Sequence, residues 1–220
     1  MALGTSEHTS TTFLDIRAGK VCKRVDAAGE GVISRTIEKG KHAGTVVHER
    51  QFDYVDGVIK GIATQSREVE IMGKKKTIHT LQVTLDDVGE RYVLNLPKGY
   101  KVWRHFLLTL PNIKAGEPVK LSPYDYISKK DGKRKSGLGV TQGTTECKWA
   151  YVRGDGKLPD APTVVVNGEN MIDYTAQDIF LEEVLAMFAP SHGTINHAPA
   201  EPQHTGVRNI ADIDPDEDII

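Results

Sequence analysis

The stretch TIHTLQVTLDDVGERYVLNLPKGYKVWRHFLLTLPNI (residues 77–113) decides the fold, because its hydrophobic period changes partway along. In the first part Leu81, Val83 and Leu85 alternate with polar residues, which predicts a half-buried strand. The run RYVLNL (91–96) repeats this alternation after the turn-forming DDVGE. Two antiparallel strands are therefore expected.

The last part of the stretch has the period of a helix. Trp103, Phe106, Leu107 and Leu110 fall at positions i, i+3, i+4 and i+7, which places them on one apolar stripe. Pro111 follows directly, and proline cannot continue the hydrogen-bond ladder of a helix. One short amphipathic helix, packed through this stripe, is expected after the two strands.

Strand patterns flank this unit on both sides. Upstream, FDYVDGVIKGI (52–62) predicts a bent strand, and residues 26–50 predict a long hairpin or insertion. Downstream, PVKLSPYDYI (118–127), SGLGVTQ (136–142) and ECKWAYV (146–152) predict three more strands. The first two of these are joined by a loop that contains the turn pair Asp-Gly.

This order of elements predicts a mainly β fold. Several strands, one helix and then more strands fit an OB-fold-like Greek-key barrel with the helix between its third and fourth strands. An SH3-like barrel and a β-sandwich are the alternatives. Neither of them places a single amphipathic helix so naturally late in the strand series.

The C-terminal part predicts a second helix and then a chain with little to bury. TAQDIFLEEVLAMF (175–188) is helical in pattern, with Thr175 and Asp178 as a capping box and Ile179, Val184, Met187 and Phe188 as its apolar side. The predicted organisation is a flexible N-terminus (1–12), an OB-fold domain with insertions and a C-terminal helix (13–188), a flexible linker (189–209) and a disordered acidic tail (210–220).

Charge is distributed unevenly along the chain. The formal net charge is −2, but residues 1–160 hold 27 of the 28 Lys and Arg and 19 of the 30 Asp and Glu, a net +8. Residues 161–220 hold one basic and eleven acidic residues, a net −10. Such asymmetry is typical of a body that binds a polyanion and carries an acidic tail.

The motifs of common enzymes are missing from the sequence. It contains no phosphate-binding P-loop, no G-x-S-x-G, no HExxH and no Cys/His set with zinc spacing, so we expect neither an enzyme, nor a cofactor, nor a metal site. Cys22 and Cys147 are isolated thiols. The start of the chain lacks a secretion signal, and no apolar run is long enough to span a bilayer, which predicts a cytoplasmic protein.

Basic and aromatic residues cluster in the predicted loops and strands. Cations neutralise phosphates without sequence preference, and exposed rings stack on unpaired bases of any kind. The candidate nucleic-acid-binding cations are Lys74, Lys75, Lys76, Arg91, Lys129, Lys130, Lys133, Arg134, Lys135 and Lys148. The candidate stacking residues are Tyr92, Tyr124, Tyr126, Trp149 and Tyr151.

These residues belong to a series of blocks that resembles a known family. FLDIRAGKV (13–21), YVDGVIKGI (54–62), YVLNLP (92–97), FLLTLPNIKAGEPVKLSPYDY (106–126) and DGKRKSGLGV (131–140) are similar to the OB-fold single-stranded-DNA-binding proteins of bacterial viruses and their relatives. The resemblance covers roughly residues 13–188. It implies sequence-nonspecific binding of single-stranded DNA in replication, recombination or repair, in the host cytoplasm if the chain is encoded by a phage.

The acidic C-terminus extends the resemblance. Bacterial and phage single-strand binders carry similar tails, which recruit replication proteins; those tails usually end on an aromatic residue, whereas this chain ends on two isoleucines. The residues expected to bind a partner protein are Asp212, Asp214, Asp216, Glu217, Asp218, Ile219 and Ile220.

Three features of the function stay open at the level of sequence. RNA is a possible ligand beside DNA, because nothing in the sequence identifies a contact to the 2′-hydroxyl. The alternative function is a β-barrel interaction or structural module that binds protein and no nucleic acid. The sequence does not define the oligomeric state.

Overall fold

The computed structural model describes residues 11–38, 43–71, 74–166 and 169–193. These ranges contain twelve strands and two α-helices. The strands are β1 (Thr11–Arg17), β2 (Lys20–Val25), β3 (Val32–Thr36), β4 (Val46–Phe52), β5 (Val55–Ile71), β6 (Lys74–Asp87), β7 (Glu90–Pro97), β8 (Pro118–Ile127), β9 (Arg134–Gln142), β10 (Thr145–Glu146), β11 (Thr163–Val166) and β12 (Glu169–Ile172). The helices are α1 (Lys101–Thr109) and α2 (Thr175–Phe188), and each continues into a short 3-10 turn, at Leu110–Asn112 and Ala189–His192.

Ten of these strands form one mixed sheet. Their order is β10-β9-β8-β5-β6-β7-β1-β2-β4-β3, and β11 pairs only with β12. All neighbours in the large sheet are antiparallel except β1 and β7, which are parallel. The prediction of a mainly β fold with one helix between late strands is confirmed, since α1 lies between β7 and β8 in the chain.

The hydrophobic core contains the residues that the sequence pattern placed there. Leu81, Val83 and Leu85 of β6 are at most 1% exposed. The α1 stripe, from Trp103 to Leu110, packs against them in the same cluster. Full burial of one Leu or Phe side chain stabilises the fold by about 1.5–3 kcal/mol, so this central contact between α1 and the sheet is a major source of stability.

The polar face of β6 differs from the prediction of a half-buried strand. Gln82 and Thr84 point away from the core and are nevertheless buried. Gln82 donates hydrogen bonds to Gln65 on β5 and Asn95 on β7, so neighbouring polar side chains cover it. Both faces of the sheet are therefore packed at this point.

The predicted strand at 146–152 is wrong. Thr145 and Glu146 pair with β9, the Cys147 N–H still donates to the Val140 carbonyl oxygen of β9, and the chain then leaves the sheet. The backbone of residues 148–150 bonds to the end of α1 and its 3-10 turn instead. The Ala150 N–H donates to the Leu108 carbonyl oxygen, and Asn112 Nδ2 donates to the Lys148 carbonyl oxygen. Trp149 and Tyr151 thus lie in an irregular segment pinned against the helix.

Helix α2 has the predicted bounds but a different N-terminus and a different buried side. Thr175 lies within the helix and bonds to Asp173, while Asp178 forms an ion pair with Arg104, so the predicted capping box is wrong. Ile179 and Met187, predicted on the apolar side, are exposed. Leu181 and Val184 are the buried apolar residues of α2, which packs against α1 and the two 3-10 turns.

The folded part of the chain extends past the predicted boundary after residue 188. His192 is buried, and the Ile62 N–H of β5 bonds to the Gly193 carbonyl oxygen. Strand β1 also begins two residues before the predicted domain start. Residues 1–10, the rest of the predicted linker and the whole predicted tail lie outside the described residues.

The sheet curls so that the turn between β1 and β2 touches β8. Gly19 forms this turn with a φ of +69°, and a Cβ atom built there would lie 2.4 Å from the backbone nitrogen of Asp125. Real Cβ atoms do not approach backbone that closely, so only glycine allows this contact. The N-terminal strands are thereby held next to the β8–β9 hairpin.

Replacing Gly19 by alanine tests this contact. We expect Gly19→Ala to lower the free energy of unfolding by at least about 2 kcal/mol, because the added methyl meets backbone and the left-handed φ is strained. Gly31→Ala is the matched control, since Gly31 has a φ of +70° with nothing within 4 Å of its Cβ position. Denaturant unfolding of both variants measures the difference, and equal losses would show that the contact is unimportant.

Candidate nucleic-acid interface

Two of the predicted stacking residues share one face of β8. Tyr124 and Tyr126 lie on the opposite face of the strand from the core residue Leu121, with their ring centroids 5.9 Å apart. Tyr126 is 55% exposed, whereas burial raises the pKa of the half-buried Tyr124. In the β8–β9 register Tyr126 is opposite Lys135, so a cation flanks the more exposed ring.

His105 of α1 and Trp149 extend this pair of rings. The His105 ring is 6.3 Å from Tyr124 and 4.8 Å from Trp149, the latter in an edge-on arrangement. Trp149 is 43% exposed. Tyr126, Tyr124, His105 and Trp149 thus form a continuous series at the surface, which we call the aromatic row.

Gly137 of β9 makes room for the centre of the row. A Cβ atom at this position would lie 2.3 Å from the His105 ring and 2.6 Å from the Tyr124 hydroxyl. The two rings therefore occupy the space of the missing side chain.

His105 also satisfies an open edge of the sheet. The Leu138 N–H of β9 donates to His105 Nδ1 at 3.2 Å, so α1 covers a strand edge that would otherwise be unpaired. Because Nδ1 accepts this bond, the proton of the neutral ring is on Nε2. Burial, with the nearby charges of Lys101 and Arg104, lowers the pKa of His105 to about 4, and the ring is neutral at physiological pH.

The loop between β8 and β9 presents the predicted cluster of cations. Ser128 and Lys133 close the loop through the bond from the Ser128 N–H to the Lys133 carbonyl oxygen. Asp131 organises its tip, and hydrogen bonds, chiefly from Ser128, lower the pKa of this carboxyl to about 2. The cations of this lysine loop are all exposed: Lys129, Lys130, Lys133, Arg134 and Lys135.

The lysine loop also carries its own acidic contacts. Arg134 donates to Asp125 at 2.8 Å, and Lys135 lies 3.3 Å from Asp131. The Lys135–Asp131 pair is exposed on both sides, so it contributes little to stability and is exchanged easily for another anion. Asp125 is only 13% exposed and accepts from two nitrogens of Arg134, so this pair is held more firmly. Lys148 is likewise exposed, and it adjoins Trp149 at the other end of the row.

A groove runs from the aromatic row towards the β1–β2 turn. Its walls include Tyr124 and Arg134 from the predicted set, together with Arg17, Tyr100 and Lys101. The last three were missed by the sequence analysis. They come from β1 and the start of α1, and only the curl of the sheet brings them beside β8.

The second lysine cluster lies on a projecting hairpin. In the strand register, residues 66–71 of β5 and 74–79 of β6 pair only with each other, and we call this segment the lysine arm. Lys75 and Lys76 are exposed, and Lys75 lies 3.8 Å from Glu68. Lys74 begins β6 next to them in the chain.

Arg91 and Tyr92 are placed elsewhere and are engaged by acids. Arg91 donates to Asp86 at 2.8 and 3.0 Å, and Tyr92 donates to Glu90, which raises the Tyr92 pKa to about 12. Their partners lie about ten residues along β6 from the lysine arm, roughly 30 Å in an extended strand. These two residues do not join the aromatic row.

Tyr151 is also separate from the row. Its ring packs edge-on against Phe180 of α2 at 5.0 Å and belongs to the partly buried layer around the core. Of the five predicted stacking residues, the structure therefore brings together Tyr124, Tyr126 and Trp149, and His105 joins them. The helical spacing of apolar residues does not identify His105, because this residue lies beside the buried stripe of α1.

The described ranges contain no group of three or more His, Cys, Asp or Glu side chains placed to hold a metal ion. Neither α1 nor α2 has the length and apolar character that a membrane crossing requires. Comparison of the chain with protein-family models, with curated proteins and with solved structures found no match.

The lowered pKa of His105 predicts a pH dependence of stability. Because an unfolded His titrates near pH 6.5 and the folded one near 4, the unfolded state binds the extra proton between these values. We expect the contribution of His105 to be complete above about pH 6.5 and to decrease as the pH falls towards 4. His105→Asn should flatten this slope in denaturant unfolding, and an NMR titration midpoint near 6.5 in the folded protein would contradict it.

Proposed function

We propose that this protein binds single-stranded DNA without sequence preference and acts in DNA replication, recombination or repair. The observation that carries the proposal is the aromatic row, in which exposed Tyr126 and Trp149 stand at the two ends with cations beside each. Unpaired bases stack on such rings at about 1–3 kcal/mol per base, and this stacking tolerates every base. A duplex keeps its bases stacked on each other and gains nothing from the row.

The neighbouring cations supply the second part of the affinity. The lysine loop and Lys148 flank the row, and phosphates that contact them release counterions from the nucleic acid. This contribution is independent of sequence and weakens with salt. The combination of stacking and phosphate contacts is that of a nonspecific single-strand binder.

The OB-fold assignment is part of the same proposal. Strands β5 to β9, with α1 between the third and fourth of them, pair as β9-β8-β5-β6-β7. In an OB-fold, oligonucleotides bind near the loop joining the first two strands and the loop joining the last two. The lysine arm and the lysine loop occupy these two positions. One pairing departs from a closed five-strand barrel, since β7 pairs with β1 instead of β9.

The acidic terminus is proposed to recruit partner proteins. Residues 212–220 hold five carboxylates and a terminal Ile219-Ile220 pair, which suits a partner pocket with basic and apolar walls. An anionic segment also competes with DNA for the cations of the body. The tail would thus link strand binding to protein recruitment.

A protein-interaction module is the second candidate function. Five exposed apolar residues lie within the C-terminal segment of β11, β12 and α2, away from the aromatic row in the chain: Val165, Val166, Ile172, Ile179 and Met187. Exposed apolar patches mark interaction surfaces. This candidate predicts no binding of oligonucleotides at any salt concentration.

Ring substitutions test the stacking surface. We expect Tyr126→Ala and Trp149→Ala each to weaken oligo(dT) binding by about tenfold, because each removes one stacking platform. Tyr126→Phe and Trp149→Phe are the matched controls, which keep a ring and should bind within about twofold of the original protein. Fluorescence anisotropy with labelled oligo(dT) measures the affinities; equal effects of the Ala and Phe variants would remove stacking from the proposal.

Shortening the chain tests the tail. A chain that ends at Asn209 should bind oligo(dT) more tightly at low salt, because a competing anion is removed, and the difference should vanish at high salt. The control is a variant with Asp→Asn at residues 212, 214, 216 and 218, which keeps the length of the tail and removes four of its negative charges. Unchanged affinity at every salt concentration would exclude competition by the tail.

A further inference from the structure

A second charged surface lies on the face of the sheet that turns away from the core. It begins on β1, where Asp15 and Arg17 alternate with the core residue Leu14. It continues across strands that the OB-like unit does not contain, β2, β3 and β4, and reaches the base of the lysine arm on β5. Six charged side chains form this arginine basin: Arg17, Arg24, Arg35, Arg67, Asp15 and Glu49.

Glu49 is the centre of one half of the basin. Its side chain is only 5% exposed, and Arg35 contacts its carboxylate at 3.1 Å while Arg17 lies 3.8 Å away. Arg24 is directly opposite Glu49 in the register of β2 and β4. One buried carboxylate thus gathers guanidinium groups from three strands.

Asp15 is the centre of the other half. Asn95 Nδ2 donates to Asp15 at 3.1 Å, and Gln82 donates to both Asn95 and Gln65, so three amides on β5, β6 and β7 support the carboxylate on β1. Burial raises the pKa of Asp15, while the hydrogen bond from Asn95 and the charges of Arg17, Arg24 and Arg67 act in the opposite direction. Asp15 therefore lies among three cations.

The basin has an excess of positive charge. It contains four guanidinium groups and two carboxylates, a formal surplus of two. The side chains of Arg17 and Arg35 are 19% and 20% exposed, so they are half-sheltered and still reachable from one side. The guanidinium group of a sheltered arginine can donate two parallel hydrogen bonds to two oxygens of one phosphate.

The position of the basin connects the two lysine clusters. Arg17 also lines the groove that leads to Tyr124 and Arg134. At the other end, Arg67 pairs with Ile78 within the lysine arm. A nucleic-acid backbone that runs from the aromatic row along the groove would reach the basin before the lysine arm.

We propose that the arginine basin binds the phosphodiester backbone of the strand between the aromatic row and the lysine arm, with Glu49 as the internal anion that holds guanidinium groups in position and Asp15 as an anion that offsets part of their charge. This inference rests on the proposed function, because it requires that the protein binds a strand. It adds β1 to β4 to the binding surface. It also predicts that removing the charge of Asp15 strengthens binding.

Variants that replace arginine by uncharged glutamine, on the two faces of the sheet, test the basin. The double variant Arg24→Gln/Arg67→Gln should bind oligo(dT) more weakly, and the slope of log affinity against log salt should decrease by about 1.4, roughly 0.7 for each lost phosphate contact. Arg50→Gln is the matched control, since Arg50 is an exposed arginine at an even-numbered position of β4, facing away from Glu49. Thermal unfolding of each variant verifies that the fold is kept.

The variant Asp15→Asn supplies an independent readout. It keeps an oxygen that accepts from Asn95 and removes one negative charge from the basin. We expect tighter binding of oligo(dT) at low salt, with the gain lost at high salt as the charges are screened. A purely structural role of Asp15 would give equal or weaker binding.

The outcomes separate this inference from the proposed function. If the original protein does not bind oligo(dT), both are wrong. If it binds and the double variant keeps the full salt slope, or Asp15→Asn fails to tighten binding, the basin inference is wrong and the aromatic row stands alone. A reduced slope in Arg24→Gln/Arg67→Gln but not in Arg50→Gln, with tighter binding by Asp15→Asn, supports the basin.

Discussion

The contact between the turn at Gly19 and the backbone of β8 is the constraint on which the candidate interface depends. Without a side chain at this position, the turn lies directly against Asp125. The contact brings β1, the start of α1 and the β8–β9 hairpin around one groove. Residues more than a hundred positions apart in the sequence thereby become neighbours in the candidate interface.

A second missing side chain shapes the surface itself. Gly137 leaves the space that the rings of His105 and Tyr124 fill, and the Leu138 N–H fixes the orientation of the histidine. His105 and Tyr124 at the centre of the row are therefore held in place before any ligand arrives, so binding there would cost little side-chain entropy. The cations differ, because most of them are exposed side chains whose proposed contribution comes from charge alone.

The elements with a strong local pattern could be predicted from the sequence. The alternation of Leu81, Val83 and Leu85 and the stripe from Trp103 to Leu110 determine β6 and α1, because burial dominates their energetics. Local pattern failed at Lys148–Val152. There the aromatic alternation favours a strand, but the end of α1 captures the backbone hydrogen bonds.

Sequence also gave only part of the interface. Tyr124, Tyr126, Trp149 and the lysine loop could be proposed from composition and position. His105 could not, because its neighbours come from the packing of α1 against β9. The arginine basin could not either, because its members are brought together by the pairing of β1 with β7 and of β4 with β2 and β3. For Arg91 and Tyr92 the composition misled, since adjacent acids engage both residues.

Photochemical crosslinking of the full chain to oligo(dT) that contains 5-iododeoxyuridine tests the central claim most directly. Mass spectrometry of the crosslinked peptides identifies the rings that stack on the bases. The account predicts crosslinks at Tyr126 and Trp149, the exposed ends of the aromatic row. Crosslinks confined to Tyr92 or Tyr151, or no crosslinks at low salt, would contradict it.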